Sequence, residues 1–399
     1  MIDVKDLLRR FTTDELNRKA DDYFARIEDR TYLLSKPFAE FEECAKALFS
    51  FAALLQGLRL TKGMEVMEFG AGPAWCAHLL TQLGCKVYAV DVSRTALEIG
   101  RERHQRHPPF GDQPEPEFLA YDGYRLPFPD ASLDRILCFD AFHHVPNPEP
   151  LLLEMGRVLR ADGIAGFAEP GPHHSHGVDA QSEMETHGVL ENDIVMADID
   201  AWAKEAGFRR LELVALSAEP VRLGLSDYDR FLAGPSALDA PVVDSVRHQA
   251  SATRTFFLSK EAEVVEDSRR GRGLVADLEV DLKGGPVYAA GGTIEVSVRV
   301  KNTSPSVWLP HSVKVGGVAL GVQRLDPARP GTPADFFRIS LTPGEGVPLK
   351  PGDEVSFDAR VPCPPPGVHE LLFDLVSEHV QWFKLNGSKT CRFRIEVAP

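Results

Sequence analysis

Met64-Glu-Val-Met-Glu-Phe-Gly-Ala-Gly-Pro-Ala-Trp75 decides the fold. Its first six residues read as a short strand over 64–69, closed by a Gly-Ala-Gly turn. Gly70 and Gly72 let the backbone bend sharply and come close to a ligand. A helix is expected from about 74 to 84. Strand, glycine turn and helix N-terminus together make a nucleotide-binding corner.

Working outward, the same alternation continues. Lys86-Val-Tyr-Ala-Val-Asp91 is a second strand followed by a helix over 95–106, and a third strand at 117–121 comes after a Pro-rich loop. A fourth spans 133–140. The amphipathic pattern over 148–160 predicts a helix that buries Leu151, Leu152, Met155, Val158 and Leu159, with Gly163 of Ala161-Asp-Gly163 as its stop. A fifth strand at 164–169 and two more at 207–216 and 252–259 complete the set, with an insertion whose Asp227-Tyr-Asp-Arg-Phe231 reads as helical. Repeated strand–helix alternation implies an α/β fold with a doubly wound, parallel, Rossmann-like sheet, whose ligands sit at the carboxyl ends of the strands.

Residues 1–62 form an N-terminal helical cap, with 45–55 as a core helix. Within the cap, Pro37 interrupts Tyr32-Leu-Leu-Ser-Lys-Pro-Phe38. That segment is either a lid with Tyr32 and Lys36 facing the ligand or a plain loop. The α/β domain is expected over 63–260 and a charged linker over 261–274. From 275 to 399 the strand-like alternation and many Gly and Pro predict a separate all-β domain.

At 399 residues the chain exceeds one ordinary domain, and 43% hydrophobic with 26% charged residues is a soluble globular composition. The formal net charge of −15 argues against nucleic acid as the main partner, because phosphate binding needs a basic surface. The charged start, Met1-Ile-Asp-Val-Lys-Asp, has no signal-peptide core, and no apolar run is long enough for a membrane span. Six scattered cysteines without a Cys-x-x-Cys pair suit reduced thiols in the cytoplasm better than disulfides or a zinc site.

Carboxylates fall at successive strand ends: Glu68 before the glycine turn, Asp91 after the second strand, Asp122 after the third and Asp140 after the fourth. Asp91 is placed to grip ribose hydroxyls and Asp122 to accept from an adenine amine. A nicotinamide dinucleotide and S-adenosylmethionine compete for such a corner. The dinucleotide fingerprint wants a third glycine where Trp75 stands, and Glu68 beside the turn suits a cationic methionine portion better than a pyrophosphate. The residues favour S-adenosylmethionine, with a dehydrogenase as the last reading.

Glu68-Phe-Gly-Ala-Gly-Pro-Ala74, Val90-Asp-Val-Ser93, Asp122-Gly123 and Leu126-Pro-Phe-Pro-Asp-Ala-Ser-Leu-Asp134 resemble the class I S-adenosylmethionine-dependent methyltransferases. Phe142-His-His-Val-Pro-Asn-Pro148 and Glu154-Met-Gly-Arg-Val-Leu-Arg-Ala-Asp-Gly163 are similar to the same family, so that the resemblance covers roughly 60–260. It implies a seven-stranded methyltransferase sheet. The methionine part would lie on the loop of Gly70, Ala71 and Gly72, the ribose on Asp91 beside Val92, and the adenine on Asp122 and Gly123. Pro73-Ala74-Trp75 departs from the Thr or Gly common in the family, which puts the loop contacts in doubt.

Methyl transfer from a sulfonium is an in-line displacement that must align donor and acceptor and, for a hydroxyl, remove a proton. His143 and His144 follow the fourth strand, and an imidazole titrates near neutrality. Glu169, at the end of the fifth strand, would orient that imidazole. In the small-molecule O-methyltransferases this chain resembles, the first His of such a pair works with that acid, which implies His143 as base; the pair could instead pack on the cofactor. His173, His174 and His176, with Glu169 and Asp140, offer ligand types for a divalent ion, but no spacing is metal-specific and no metal is expected. Glu183, Glu185, His187, Glu191 and Asn192 either roof the acceptor site or form a solvated face.

The last 125 or so residues resemble an immunoglobulin-like β-sandwich of the kind joined to bacterial surface-glycan enzymes, through Asn302-Thr-Ser-Pro-Ser-Val-Trp308, Leu320-Gly321, Leu341-Thr-Pro-Gly344, Pro364-Pro-Pro-Gly367 and Val380-Gln-Trp-Phe383. Trp308 and Trp382 either stack on sugar rings or belong to the core. The expected activity is O-methylation of a sugar hydroxyl on a bacterial glycan or a glycosylated small molecule. The alternatives are a non-sugar acceptor methylated at O, N or C, or a non-catalytic glycan-binding scaffold; homo-oligomerisation or docking would use the sandwich.

Overall fold

The structure, a computed structural model, describes residues 1–399 except 61–62, 112, 264–265, 326–332 and 343–345. The Thr61-Lys62 approach to the first strand and the Pro343-Gly344 end of one β-domain motif lie outside the described residues. The chain divides into two compact units, Met1–Glu263 and Val264–Pro399. Among the described residues no helix is long and apolar enough to cross a membrane, and all six cysteines are free thiols.

The first unit is built on seven strands: β1 (Glu65–Phe69), β2 (Lys86–Asp91), β3 (Glu117–Ala120), β4 (Leu133–Phe139), β5 (Leu159–Pro170), β6 (Arg210–Leu213) and β7 (Thr253–Ser259). Their order is β3-β2-β1-β4-β5-β7-β6, so the chain reverses direction across the sheet at β1 and β4. Strands β1 to β5 pair in parallel, whereas β7 runs antiparallel to both β5 and β6. The expectation of a wholly parallel sheet is corrected at this one strand: β6 reaches β7 through an excursion of two helices rather than a single crossover, and no rule then forces parallel entry.

Among the described residues eleven α-helices accompany the sheet: α1 (Val4–Arg10), α2 (Thr13–Ala25), α3 (Thr31–Ser35), α4 (Phe41–Leu58), α5 (Trp75–Gln82), α6 (Arg94–Arg106), α7 (Pro148–Val158), α8 (Val178–Thr186), α9 (Met196–Glu205), α10 (Leu225–Leu232) and α11 (Asp239–Ala252). Local chemistry sets several ends. Thr12 and Glu15 form a reciprocal capping box on α2, Ser93 caps α6 through Ala96 N–H, and Pro148 opens α7.

Successive strand residues point to opposite faces, which makes two cores. Met67 and Phe69 of β1 pack with Leu151, Leu152 and Met155 of α7 and with Ile199 and Ala203 of α9. Val66 packs on the other side with Leu54 and Leu58 of α4 and Leu80 of α5. Leu151, Leu152, Met155, Val158 and Leu159 are all buried. The helix nevertheless ends at Val158, and Ala161-Asp-Gly163 lies inside β5. Gly163 is no helix stop; Leu159 already pairs with Leu133, so sheet pairing overrides the helical period there.

The second unit contains β8 (Ala276–Lys283), β9 (Val287–Ala289), β10 (Thr293–Asn302), β11 (Val318–Leu325), β12 (Pro333–Ser340), β13 (Glu354–Pro362), β14 (Gly367–Ser377), β15 (Gln381–Trp382) and β16 (Cys391–Ala398). A three-stranded sheet, β13-β10-β8, and a larger one, β12-β11-β14-β16-β9, share one apolar core. Trp308 sits in that core at 1% exposure, its indole N–H donating to Ser304 Oγ at 2.9 Å. Of the two readings for Trp308, sugar stacking or core, the structure places it in the core. Trp382 is half-buried over Gly321, with the Arg338 and Lys384 cations 4.8 and 5.3 Å from its centroid.

Candidate active site

The loop after β1 carries the glycines at φ values only glycine adopts freely: 65° at Gly70 and 49° at Gly72. A Cβ on Gly70 would stand 2.4 Å from the Ala141 Cβ, where the end of β4 closes on the loop. Gly70→Ala therefore combines an unfavourable φ with a steric clash. About 2 kcal/mol of destabilisation, read as a drop of about 4–8 °C in a thermal melt, is expected.

This loop opens a cavity of about 510 Å³ at the carboxyl ends of β1, β2 and β4. Gly70, Ala71, Gly72, Glu68, Asp91, Val92, Gly123, Asp140, Tyr32, Lys36, His143 and His144 all line it. Trp75 also lines it, packed between Phe51 and Phe139 at centroid distances of 5.4 and 5.0 Å. Its bulk occupies the helix start where a dinucleotide-binding loop needs a glycine.

Glu68 is 2% exposed and accepts the Ala77 N–H at 2.7 Å, inside the first turn of α5. Burial pushes its carboxyl up to about 8, against the pull of the Ala77 N–H and the Cys76 thiol. A cation arriving in the cavity would stabilise its ionised form. Asp91 ties the site together: Oδ2 accepts the Gly72 N–H and Oδ1 the Ser93 N–H, both at 2.8 Å. Burial raises its carboxyl as well, and these two N–H groups oppose the shift.

Asp122 does not line the cavity. It is exposed, and its Oδ1 accepts the backbone N–H groups of Tyr124 and Arg125, each at 2.8 Å, in a tight turn after β3. This is a turn-capping geometry common for Asp at such positions, and it uses Oδ1 alone. Helix α2 covers the cavity with Leu16, Asn17, Ala20, Tyr23 and Phe24. Asp21 anchors that helix by accepting from Ser93 Oγ at 2.7 Å and Thr95 N–H at 3.0 Å. The sequence expectations named none of these α2 residues, although the capping box and the helical spacing of 16, 20, 23 and 24 marked the face that carries them.

At the far end, His143 and Glu169 meet. Both are buried, and His143 Nδ1 lies 2.8 Å from Glu169 Oε2. Glu169 also accepts the backbone N–H groups of Ala141 at 3.2 Å and Phe142 at 3.0 Å, so its position is held by the turn that presents the imidazole. A carboxylate only accepts, which places the proton on Nδ1 and leaves Nε2 as the lone-pair nitrogen of a neutral ring.

A second carboxylate faces that nitrogen. Glu191, 4% exposed, lies 3.5 Å from His143 Nε2, 3.5 Å from His144 Nδ1 and 2.7 Å from His174 Nε2. Asn192 donates to the carbonyls of His143 and Val145. Of the roof residues, Glu183 and Glu191 line the cavity; Glu185 and His187 do not. Of the three histidines after β5, His174 alone joins the cluster, while His173 and His176 stack on each other outside it. His143, His174 and Glu191 place one donor atom each within 4.8 Å of one another, a spacing that no sequence pattern announced.

Burial by itself would push His143 down, but the Glu169 hydrogen bond and the charges of Glu169, Asp140 and Glu191 raise it to about 9. The folded chain therefore holds this proton more tightly than an unfolded one near 6.5. Stability from this contact is complete below about pH 6.5 and lost as pH rises through about 9.

Residues 67–167 match the family model described as "Methyltransferase domain". The first unit has the class I methyltransferase fold. The methyltransferase GfsG of Streptomyces halstedii is 29% identical over 173 residues, covering 42% of this chain and 60% of that protein. A protein-L-isoaspartate O-methyltransferase of Bradyrhizobium sp. (strain ORS 278) is 33% identical over 126 residues, covering 32% of this chain and 54% of that one. The chain thus spans little more than half the length of these curated relatives. Among solved structures, a geranyl diphosphate methyltransferase in complex with GPP and sinefungin aligns with 62% of this chain and 100% of its own, at 12% identity and a TM-score of 0.44.

Proposed function

We propose that the first unit transfers a methyl group from S-adenosylmethionine to a hydroxyl of an acceptor, with His143 as general base and Glu169 as the group that orients it. The reading is carried by the buried His143–Glu169 pair, 2.8 Å apart, whose imidazole lines the same cavity as the glycine loop and Asp91. The donor set fits the cofactor: a bare loop at Gly70 and Gly72, and the carboxylates of Glu68 and Asp91 for a molecule that carries cationic and hydroxyl groups. S-adenosylmethionine supplies an electrophilic methyl on a sulfonium. The protein's own part is to align the acceptor oxygen and to receive its proton at His143 Nε2.

The acceptor we favour is a sugar hydroxyl, on a bacterial glycan or a glycosylated small molecule, because His144, His174, Glu183 and Glu191 give the acceptor end many hydrogen-bonding groups. A non-sugar acceptor is the second reading, favoured by the apolar wall of Leu16, Tyr23, Phe24, Ile27 and Leu190. An acceptor screen with labelled S-adenosylmethionine separates them: methyl incorporation into free and glycosylated alcohols supports the first, and into aglycones alone the second.

The pH dependence follows from the charge on His143. Only the neutral ring can accept a proton, and the neutral fraction rises about tenfold per pH unit below the group's pKa. The rate is expected to climb with pH and level off near 9 rather than near 6.5. A Glu169→Gln variant removes the main charge that raises the group, so its profile should turn at lower pH. A profile flat from pH 6 to 9 would remove His143 from the proton transfer. Chelation by EDTA is expected to leave turnover unchanged; a loss restored by a divalent ion would make His143 Nε2 a metal ligand instead of a base.

A further inference from the structure

A second cavity of about 560 Å³ lies beside the first and shares Lys36 and Trp75 with it. It is bounded by α3, the turn at 36–38, α5 and the C-terminal end of α6. The two cavities differ in charge. Carboxylates such as Glu68, Asp91, Asp140 and Glu191 line the first, whereas Lys36, Arg103 and Arg106 line the second with the imidazoles of His78 and His107 and no carboxylate. In a chain of formal charge −15, this is a local reversal of the background field.

The cations are incompletely compensated. Arg103 is 6% exposed, yet its hydrogen bonds go to carbonyls: Pro73 O at 3.1 Å, Lys36 O at 2.6 Å and Leu33 O. Carbonyl dipoles orient a guanidinium without cancelling its charge, and its chief opposing charge is Glu68, a carboxyl that burial itself drives toward the neutral form. Lys36 makes no ion pair among the described residues; its ammonium stands 5.3 Å from the Tyr32 ring centroid. His78 Nδ1 is buried without a hydrogen-bond partner, as is Nδ1 of His104, whose ring lies 6.2 Å away. Arg106 alone is paired, with Glu102 at the rim, and Glu102 also reaches Arg30 at 3.4 Å.

We propose that this cavity binds a phosphate-type oxyanion, contacted by His78, Arg106 and Lys36 with Arg103 behind them. An oxyanion supplies the acceptor that His78 lacks and the negative charge that Arg103 lacks. Arg103 also braces both walls of the neighbouring pocket, since Leu33 and Lys36 belong to the α3 segment and Pro73 to the glycine loop.

Calorimetric titration of inorganic phosphate, and separately of a sugar 1-phosphate, into the full chain at low ionic strength tests this. Saturable binding with a Kd on the order of 1 mM is expected. Arg106→Glu and His78→Ala should each weaken it by about tenfold or more. Arg392→Glu, the same charge change in the second unit, should leave it unchanged, with thermal melts confirming that each variant is folded. Tighter binding of the sugar phosphate would identify a phosphorylated metabolite as the ligand, and equal binding would identify free phosphate. No saturable heat, or equal weakening by Arg392→Glu, would overturn the proposal; either result leaves the methyl-transfer reading standing, because that rests on the other cavity.

Discussion

His143→Ala is expected to lower methyl transfer by about 10²–10⁴-fold while leaving S-adenosylmethionine binding nearly unchanged. The size follows from the role: removing a positioned general base forfeits proton transfer in the transition state but none of the contacts that hold the donor. The geometry separates the two functions. His143 lies at the end of β4 against Glu169 and Glu191, whereas the glycine loop and Asp91 lie at the ends of β1 and β2. Glu169→Gln should cost less than His143→Ala, because the imidazole remains and loses only its orienting charge. Glu191→Gln should cost less again and mainly displace the pH profile downward, since Glu191 approaches Nε2 at 3.5 Å without the short bond that Glu169 makes. Measured kcat with unchanged cofactor Kd supports the base. Equal losses in kcat and cofactor affinity would instead show that His143 merely packs on the cofactor.

Asp91→Ala should weaken S-adenosylmethionine binding by about 10–100-fold, or about 1.5–3 kcal/mol, the range for a lost hydrogen bond to a charged group. The effect has two sources. A carboxylate disappears from the cavity wall, and the Gly72 and Ser93 N–H groups lose the acceptors that fix the loop and the start of α6. Asp91→Asn separates them. Its amide oxygen can keep one N–H partner but not both, so a loss close to that of Asp91→Ala would assign the effect to charge, and a much smaller one to loop order. An affinity unchanged in both variants would mean that Asp91 serves the loop alone.

The first unit was legible where local chemistry and long-range packing agree. The short buried runs of β1 and β2, the two glycines and the strand-end carboxylates all point to one strand–turn–helix corner. The pairing of His143 with Glu169 was readable because one follows β4 and the other closes the adjacent parallel β5, so that their chain separation collapses at the carboxyl ends of the strands. Features made by distant contacts were not readable. Glu191 reaches three histidines from a segment with no pattern of its own, and α11 has no buried residue and so no apolar stripe to betray it. The turn-capping contacts of Asp122 were not readable either, because the same residue type serves equally as a ligand contact and as a turn cap.

The second unit shows the opposite balance. Alternation along β10 made the strands plain, with Ile294, Val296, Val298 and Val300 all buried. The function of individual side chains was not plain. By type Trp308 suited either sugar stacking or the core, and its indole N–H finds an internal acceptor in the core.

The measurement that bears most directly on the active site is calorimetric titration of the full chain with S-adenosylmethionine and, separately, with NADH. Saturable binding of S-adenosylmethionine and none of NADH is expected from Trp75 at the helix start and the acidic lining around Glu68 and Asp91. Failure of folded protein to bind S-adenosylmethionine, or preference for NADH, would contradict the assignment of this cavity to a sulfonium cofactor.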